Sequence, residues 1–445
     1  MKILLINPPR SPQNQILASA PEEAKPFIHK KLIGPPLGLL TIAAAVKDHD
    51  IRVFDMKGEY DLDPTAPPLQ ELTLQLLRDH NPDIVGITII TSEFNFSLEI
   101  FRTIKQYDPS ILTVAGGLHT TLCPEDFTDR SIDIVCPGQA ADVFRKVVEA
   151  REKGSAFQKI PGILVNSPDE LTRTSGQTPL WDAAGKDFLM PDRSLLNRWK
   201  STYRVGKNIE PSTYLFTSQG CPYECTFCSI WCEFKKKFYQ RELESIITEL
   251  KGVDYSIVRF ADANTIVNVG FINRLFDRIQ EEGIKKEFIM DIRADTAVKY
   301  PWLIEKLAGA GLKVVICGFE SFRDEELVYY NKKSPAGIIE KAIRVFHQNG
   351  ILLRGNYVVP GYYNRDDFKA LADYANSHRV SYAGYTILTP MPGTPLYRNL
   401  KKEIIDHDLA KYNFFNCVTK TRLPIDEFHY EVGKLWLIKK GTDVI

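Results

Sequence analysis

The stretch Cys221-Pro222-Tyr223-Glu224-Cys225-Thr226-Phe227-Cys228 constrains this chain more than any other. It sets three cysteines in a CxxxCxxC spacing, directly after Tyr214-Leu215-Phe216-Thr217-Ser218-Gln219-Gly220, a strand-like run that ends in glycine. Three cysteines placed this way can aim three thiolates at one point. Cysteine thiolate is the usual protein ligand of iron–sulfur clusters, so the trio can hold three irons of a four-iron cluster. One iron then stays open to a small molecule. Two other readings stand beside this one. The cysteines can be three buried thiols, or a zinc knuckle with Cys232 as the fourth ligand that tetrahedral zinc requires, although zinc sites are more often built from paired CxxC halves.

The chain is 445 residues long, more than one ordinary domain holds. Lys+Arg and Asp+Glu both number 56, so there is no basic footprint for nucleic acid. A hydrophobic fraction of 44% supports a full core. Eight cysteines are too few for a disulfide scaffold at this length, which points to a reducing compartment. Met1 to Ile6 meets Asn7-Pro8-Pro9 at once, a first strand ending in a turn and too short for a signal peptide. The longest apolar run, Leu37 to Val46, is too short to span a bilayer. The expectation is a soluble, cytoplasmic protein with no transmembrane segment; contact with a membrane surface stays open.

Over residues 1–152 strands are predicted at Lys2–Ile6, Ile51–Asp55, Ile84–Ile90, Leu112–Ala115 and Ile132–Cys136. Helices are predicted between them at Leu37–Lys47, Leu69–His80, Phe96–Gln106 and Ala141–Ala150. Such alternation means an α/β domain with a doubly wound, Rossmann-like parallel sheet, which binds ligands beyond the carboxyl ends of its strands. Two such ends carry suggestive residues, Thr91-Ser92-Glu93-Phe94 and Gly116-Gly117-Leu118-His119. A serine there can donate to a phosphate or ring nitrogen, and paired glycines let a ligand approach the backbone, or simply make a tight turn. Residues 153–211 are broken by Gly154, Pro161-Gly162, Pro168, Gly176, Pro179, Gly185 and Pro191, and read as a linker.

Residues 212–395 repeat strand and helix six times, with strands at Tyr214–Gly220, Tyr255–Asp262, Glu287–Asp295, Lys313–Ser321, Leu352–Val359 and Tyr382–Pro390. Helices are expected at Arg241–Lys251, Gly270–Glu281, Pro301–Ala310, Pro335–Gln348 and Asp366–Ser377. In a barrel of this kind chemistry sits at the carboxyl ends of the strands. Residues 396–445 read as a C-terminal cap, with Phe414, Phe415 and Phe428 closing the barrel as core.

CxxxCxxC with an aromatic before the last cysteine resembles the signature of the radical S-adenosylmethionine (SAM) enzymes, and six strand–helix units match their partial (β/α)6 barrel. The resemblance implies a [4Fe-4S] cluster on Cys221, Cys225 and Cys228, with SAM on the open iron and cleaved to a 5′-deoxyadenosyl radical. It places Phe227 near the adenine and leaves Cys232 off the cluster. At the strand ends it implies Asp262 at the SAM amine, Arg293 forked on the SAM carboxylate, and Glu320 and Ser321 of the GxES pattern at the ribose hydroxyls or amine. Asn356-Tyr357-Val358-Val359-Pro360-Gly361 resembles the segment beside adenine, and Pro390-Met391-Pro392-Gly393-Thr394-Pro395 the PxPGTP turn. A structural ion pair is the ordinary alternative for each buried charge.

The first domain resembles the cobalamin-binding domain of cobalamin-dependent radical SAM enzymes, and Leu189-Met190-Pro191-Asp192-Arg193 the segment that leads from it to the barrel. This implies that Ser92, Gly116 and Gly117 line a slot for the nucleotide tail of cobalamin. Two departures stand out. The cobalt-ligating DxHxxG motif is absent, and Pro137-Gly138-Gln139-Ala140-Ala141 occupies the place of the family's GEGE. His119 is read as a hydrogen-bonding residue, not a ligand. Phe414 to Phe428 and the approach Ile284-Lys285-Lys286-Glu287-Phe288 are similar to the hopanoid C-3 methylase type. Together these imply a C-methyltransferase acting on an unactivated carbon of a bulky, lipid or other small-molecule substrate, with a flavodoxin or ferredoxin as electron donor. A radical enzyme for ring formation or rearrangement, and a non-catalytic iron–sulfur redox sensor, remain as alternatives.

Overall fold

Runs of branched and aromatic residues become the strands of two parallel sheets, one in each of two units of the chain. The computed structural model describes residues 1–28, 34–166, 170–176, 189–204, 210–378, 380 and 382–437. The first unit comprises Met1–Ser11 and Ile33–Tyr203, the second Pro12–Leu32 and Arg204–Ile445.

In the first unit β1 (Lys2–Asn7), β2 (Asp50–Asp55), β3 (Ile84–Thr88), β4 (Leu112–Gly116) and β5 (Ile134–Cys136) run parallel in the order β2-β1-β3-β4-β5. Ile3, Leu4, Leu5 and Ile6 are all but inaccessible, as expected for a strand covered on both faces. Helices Leu37–Ala45, Leu69–His80, Phe94–Tyr107 and Ala141–Lys153 fall where the hydrophobic periodicity placed them. The strand order reverses between β1 and β3, the point at which such sheets take a ligand.

The expected linker is largely part of this unit. β6 (Leu164–Asn166) and β7 (Leu171–Arg173) extend the sheet in antiparallel fashion. A 3-10 helix, Arg193–Thr202, then returns to it. The Glu59 carboxylate accepts both arms of the Arg198 guanidinium, at 2.7 and 2.6 Å, and the Trp199 indole N–H at 2.7 Å. The Arg198 hydrogen bond holds the Glu59 carboxyl below its ordinary range. The Tyr203 hydroxyl donates to Asp55 at 2.8 Å. These are polar and single-aromatic anchors without a period, which is why the stretch read as plain connection. Pro168, Pro179 and Gly185 lie outside the described residues.

In the second unit β8 (Ser212–Leu215), β11 (Ile257–Phe260), β12 (Glu287–Asp291), β13 (Leu312–Glu320), β14 (Leu352–Val359) and β15 (Tyr382–Ile387) form a six-stranded parallel sheet in chain order. Along β14 burial alternates strictly. Leu353, Tyr357 and Val359 pack into the core under the helices, whereas Leu352, Arg354, Asn356 and Val358 face the lumen. The single strand expected over Tyr214–Gly220 is two: after Leu215 the chain turns, and β9 (Ser218–Gly220) pairs antiparallel with β10 (Phe238–Gln240).

Residues 12–32 belong with the second unit, which periodicity did not reveal. Helix Gln15–Ser19 is capped by the Asn14 side chain and lies on helix Ile425–Lys434. The Asn413 and Asn416 amides donate to the Gln13 carbonyl at 2.7 and 3.2 Å. Phe428 is fully buried edge-on to Phe368, but Phe414 is 39% exposed with φ +71°, so it is a turn residue rather than core. Among the described residues no helix is long and apolar enough to cross a membrane.

A β-carbon at Gly433 would lie 2.6 Å from the Ala20 β-carbon and 2.8 Å from its α-carbon. Gly433→Ala should therefore cost about 1–3 kcal/mol in a urea titration. Gly252→Ala, whose β-carbon meets nothing within 4 Å, should be neutral or stabilising.

Candidate cofactor site

The cysteine loop is held from three sides. Just past β11, Asp262 is 3% exposed and accepts the Thr217 and Ser218 backbone N–H groups at 2.9 and 2.7 Å and the Thr217 hydroxyl at 2.7 Å. Burial pushes its carboxyl up to about 7, against the pull of these donors. Gly220 has φ +79°, and a β-carbon there would sit 2.1 Å from the Lys237 carbonyl oxygen, so only glycine lets the chain pass into Cys221. Beyond it, the Thr226 N–H donates to the Tyr330 carbonyl and the Leu396 N–H to the Thr226 carbonyl, both at 2.9 Å. The Asn331 amide donates to the Glu224 carbonyl at 2.8 Å. Leu396 follows the Pro390–Pro395 turn, whose Thr394 caps helix Pro395–Leu400, so that turn buttresses the cysteines.

Cys225 is buried, and Cys221 and Cys228 are half-buried. Burial raises all three thiols, Cys228 to about 12, while the Arg293 and Lys332 cations pull Cys221 and Cys225 back. Thiols in this state ionise when a metal displaces the proton. Among the described residues one trio of His, Cys, Asp or Glu ligand atoms lies within 4.8 Å of one another, and it is His119, Cys123 and Asp126 in the first unit. Tetrahedral zinc on the loop would need a fourth ligand beside Cys221, Cys225 and Cys228. The Cys232 thiol donates to the Cys228 carbonyl at 3.6 Å, in keeping with a residue that is not a ligand.

The strand-end residues gather here, with changed partners. Glu320 ends β13 in the left-handed region, φ +64°, and its carboxylate takes the Lys332 ammonium at 2.7 Å. The Ser321 hydroxyl donates to Glu326 at 2.5 Å and accepts the Arg323 N–H at 3.0 Å, so it sets the turn after β13. Arg293 was expected on the SAM carboxylate. Its fork instead grips Asp295 at 3.0 and 2.8 Å and the Lys332 carbonyl at 3.0 Å, and its guanidinium lies 3.8 Å from the Tyr223 ring centroid. Asp262 was expected at the SAM amine, yet both its oxygens are committed to the loop. Phe227 is half-buried, with its ring 5.6 Å from that of Tyr330.

Periodicity gave no sign of Lys332, a loop residue brought to Glu320 by the fold. Asn264 was visible two residues after Asp262, but the acid outweighed it. Both of its amide atoms are buried without a hydrogen-bond partner, as are Thr265 Oγ1 and Gln219 Oε1. Orphaned polar atoms are what a site for a polar ligand leaves when described without that ligand.

In the first unit Ser92 is buried in the 3-10 turn Thr91–Glu93 beyond β3. Gly117 has φ +101°, and a β-carbon there would be 2.5 Å from the Ile89 nitrogen, so its glycine is required by the backbone of the neighbouring strand end. Gly116 has nothing nearer than 4.0 Å, which leaves its face open. His119 is fully buried between Phe94 and Phe127, with Nε2 3.1 Å from Asp126 Oδ2 and Nδ1 3.3 Å from the Thr91 hydroxyl. It is packed within the unit and partnered through Nδ1, while Nε2 lies near Asp126 without forming a hydrogen bond. The Gly138 N–H is held by the Thr121 hydroxyl at 2.8 Å, where the acidic motif is missing.

Comparison with known proteins finds two domains in the chain. Residues 27–148 match the B12 binding domain, and residues 215–375 match the Radical SAM superfamily. The chain carries both domains. It is 28% identical to an uncharacterised methyltransferase of Pyrococcus horikoshii over 95% of this chain and 88% of that protein. It is 22% identical to the hopanoid C-3 methylase of Methylococcus capsulatus over 90% of this chain and 75% of that one. In fold it resembles the radical SAM methyltransferase TsrM of Kitasatospora setae, solved with cobalamin and a [4Fe-4S] cluster, at a TM-score of 0.70, 16% identity, and coverage of 98% of this chain and 88% of that chain.

Asp262→Ala strands three donors and should cost about 2–5 kcal/mol. Anaerobic reconstitution of this variant should yield less than about half the normal iron per chain, since without its anchor the loop enters a wider set of conformations. Asp262→Asn, which still accepts the two N–H groups, should lose less by both measures.

Proposed function

We propose that this chain, a member of the radical SAM enzymes that carry a B12-binding domain, is a methyltransferase acting on an unactivated carbon of a bulky, apolar substrate such as a lipid. The observation that carries the reading is a clamped loop presenting Cys221, Cys225 and Cys228 at the carboxyl end of a six-stranded parallel sheet, with Cys232 turned to a carbonyl, in a chain that also holds a B12-binding domain. The methyltransferase relatives support the reaction, and the hopanoid methylase supports the substrate class.

When bound, the cluster with SAM supplies a hydrogen-abstracting radical, and cobalamin supplies the methyl group. The protein's own residues do the rest. Cys221, Cys225 and Cys228 are the three cluster ligands. Lys332 and Arg293 keep the loop electropositive, which favours thiolate over thiol. The Asn264 amide and Thr265 hydroxyl offer a donor and acceptors to the polar groups of SAM, with the Glu320–Lys332 pair beside the cysteines. Phe227 gives the adenine an apolar wall. Asp262 and Arg293 are positioning residues that fix the loop and its flank. Ser92 and the open face of Gly116, with Gly117 shaping the turn, line the slot for the nucleotide tail of cobalamin. A small redox protein, a flavodoxin or ferredoxin, would supply the electron.

Cys221→Ser, Cys225→Ser and Cys228→Ser should each lose the low-temperature EPR signal of the reduced cluster and at least about 100-fold in 5′-deoxyadenosine formation. Cys232→Ser should retain both. Loss of the signal in Cys232→Ser would make the cluster four-cysteine and remove the SAM site. Methyl transfer by protein free of cobalt would remove cobalamin from the reaction.

A further inference from the structure

The lumen of the barrel carries a charge imbalance that the cofactor site does not use. By register Arg259 stands level with Tyr214 and Ile289, and Arg354 level with Ile316 and Asp291, so two adjacent rows of the lumen carry Tyr214, Arg259, Asp291 and Arg354. Arg259 pairs with Asp291 at 2.8 Å and reaches the Tyr214 hydroxyl at 3.5 Å. Arg354 has no such partner: among the described residues no carboxylate lies within ion-pair distance of it, and its Nε donates to the Asn356 side-chain oxygen at 3.3 Å. Two guanidiniums thus face one carboxylate, and only Arg259 is paired with it. Burial, and then the neighbouring Arg259 cation, lower the Arg354 pKa from its ordinary value.

Towards the amino ends of the strands Ile257, Ile289, Val314 and Leu352 line a largely apolar cavity of about 1050 Å³, whose wall also carries Lys285, Lys286, Glu287 and Lys313. The charged layer therefore borders open space. Glu320, beside the cysteine loop, pairs in register with Tyr357, three residues beyond Arg354. At the rise of a strand that puts Arg354 roughly 10 Å towards the amino ends from the Glu320 level.

We propose that the barrel lumen binds an amphiphilic substrate, with a carboxylate or phosphate held by Arg354 and an apolar chain in the cavity beneath it. A guanidinium presents paired donors that match either anion, and an anion at this point neutralises the layer. The apolar chain is recognised by area alone, at about 0.8 kcal/mol per buried CH₂. The reacting carbon then lies on the other side of the anion, towards the cysteines. The inference deepens the radical SAM reading and rests on it.

The test uses full-length, cluster-loaded protein and three probes at equal ionic strength: inorganic phosphate, acetate and hexanoate. Hexanoate should raise the melting temperature by about 2–4 °C. It should do so at a concentration at least tenfold below that needed for acetate. Arg354→Met should abolish the shift, and Arg354→Lys, which keeps the charge, should keep part of it and controls for folding. An equal shift in Arg354→Met overturns the proposal, as does phosphate acting without any advantage of hexanoate over acetate, which means an adventitious ion only. Loss of the shift when SAM is added assigns the anion site to SAM and also overturns it. Absence of 5′-deoxyadenosine from the unmodified protein would instead sink the radical SAM reading, and the anion measurement would stand apart from it.

Discussion

Desolvation of three thiols is the constraint on which the rest of the second unit depends. A thiol removed from water resists ionisation, and only thiolate binds iron. The fold meets this in two ways. It fixes the cysteine loop through the Asp262 carboxylate, which accepts two backbone N–H groups, through the Tyr330 carbonyl and through the N–H of Leu396 after the Pro390–Pro395 turn, so little conformational entropy is lost when a metal arrives. It also sets Lys332 and Arg293 nearby, with their charges partly satisfied by Glu320 and Asp295. The cations thus lower the cost of thiolate without being free to wander.

This explains why two acidic and basic residues at strand ends have positioning duties. Asp262 lies where a carboxylate could meet a ligand ammonium, yet three donors already converge on it. Arg293 has a forked geometry suited to a ligand carboxylate, yet Asp295, two residues on, fills the fork. A strand end in a parallel barrel must hold the loops as well as the ligand. Asn264 and Thr265, just past the same strand as Asp262, keep buried polar atoms without a partner, unlike the paired charges.

Much of the fold was legible because burial leaves a period. β14, with a lumen face and a helix face, announced itself over Leu352–Val359, and helix Leu69–His80 matched its apolar stripe end to end. The CxxxCxxC spacing was legible because its chemistry is local. What stayed hidden depends on single contacts between distant positions. Trp199 and Arg198 tie the presumed linker to Glu59, and Asn14 starts a helix whose partner is some four hundred residues away. Lys332 reaches Glu320 from beyond the short helix Asp324–Tyr329, a contact with no repeat to announce it. The break after Leu215 was hidden for the same reason, since Thr217 leaves the strand to satisfy Asp262.

The left-handed backbone at Glu320 connects these themes. A residue with a β-carbon at φ +64° is held against its own preference, and such strain persists only where surrounding contacts enforce it. Here the register of β13 with β14 shifts between Gly318 and Glu320, and a β-carbon at Gly318 would sit 2.2 Å from the Glu320 carboxylate. Glycine at that position gives the carboxylate room to fold back over the strand and meet Lys332. The strained residue, the glycine beneath it and the lysine beyond the turn therefore form one device. It places a paired charge beside the cysteines at the one strand end where the regular ladder would have directed the side chain elsewhere.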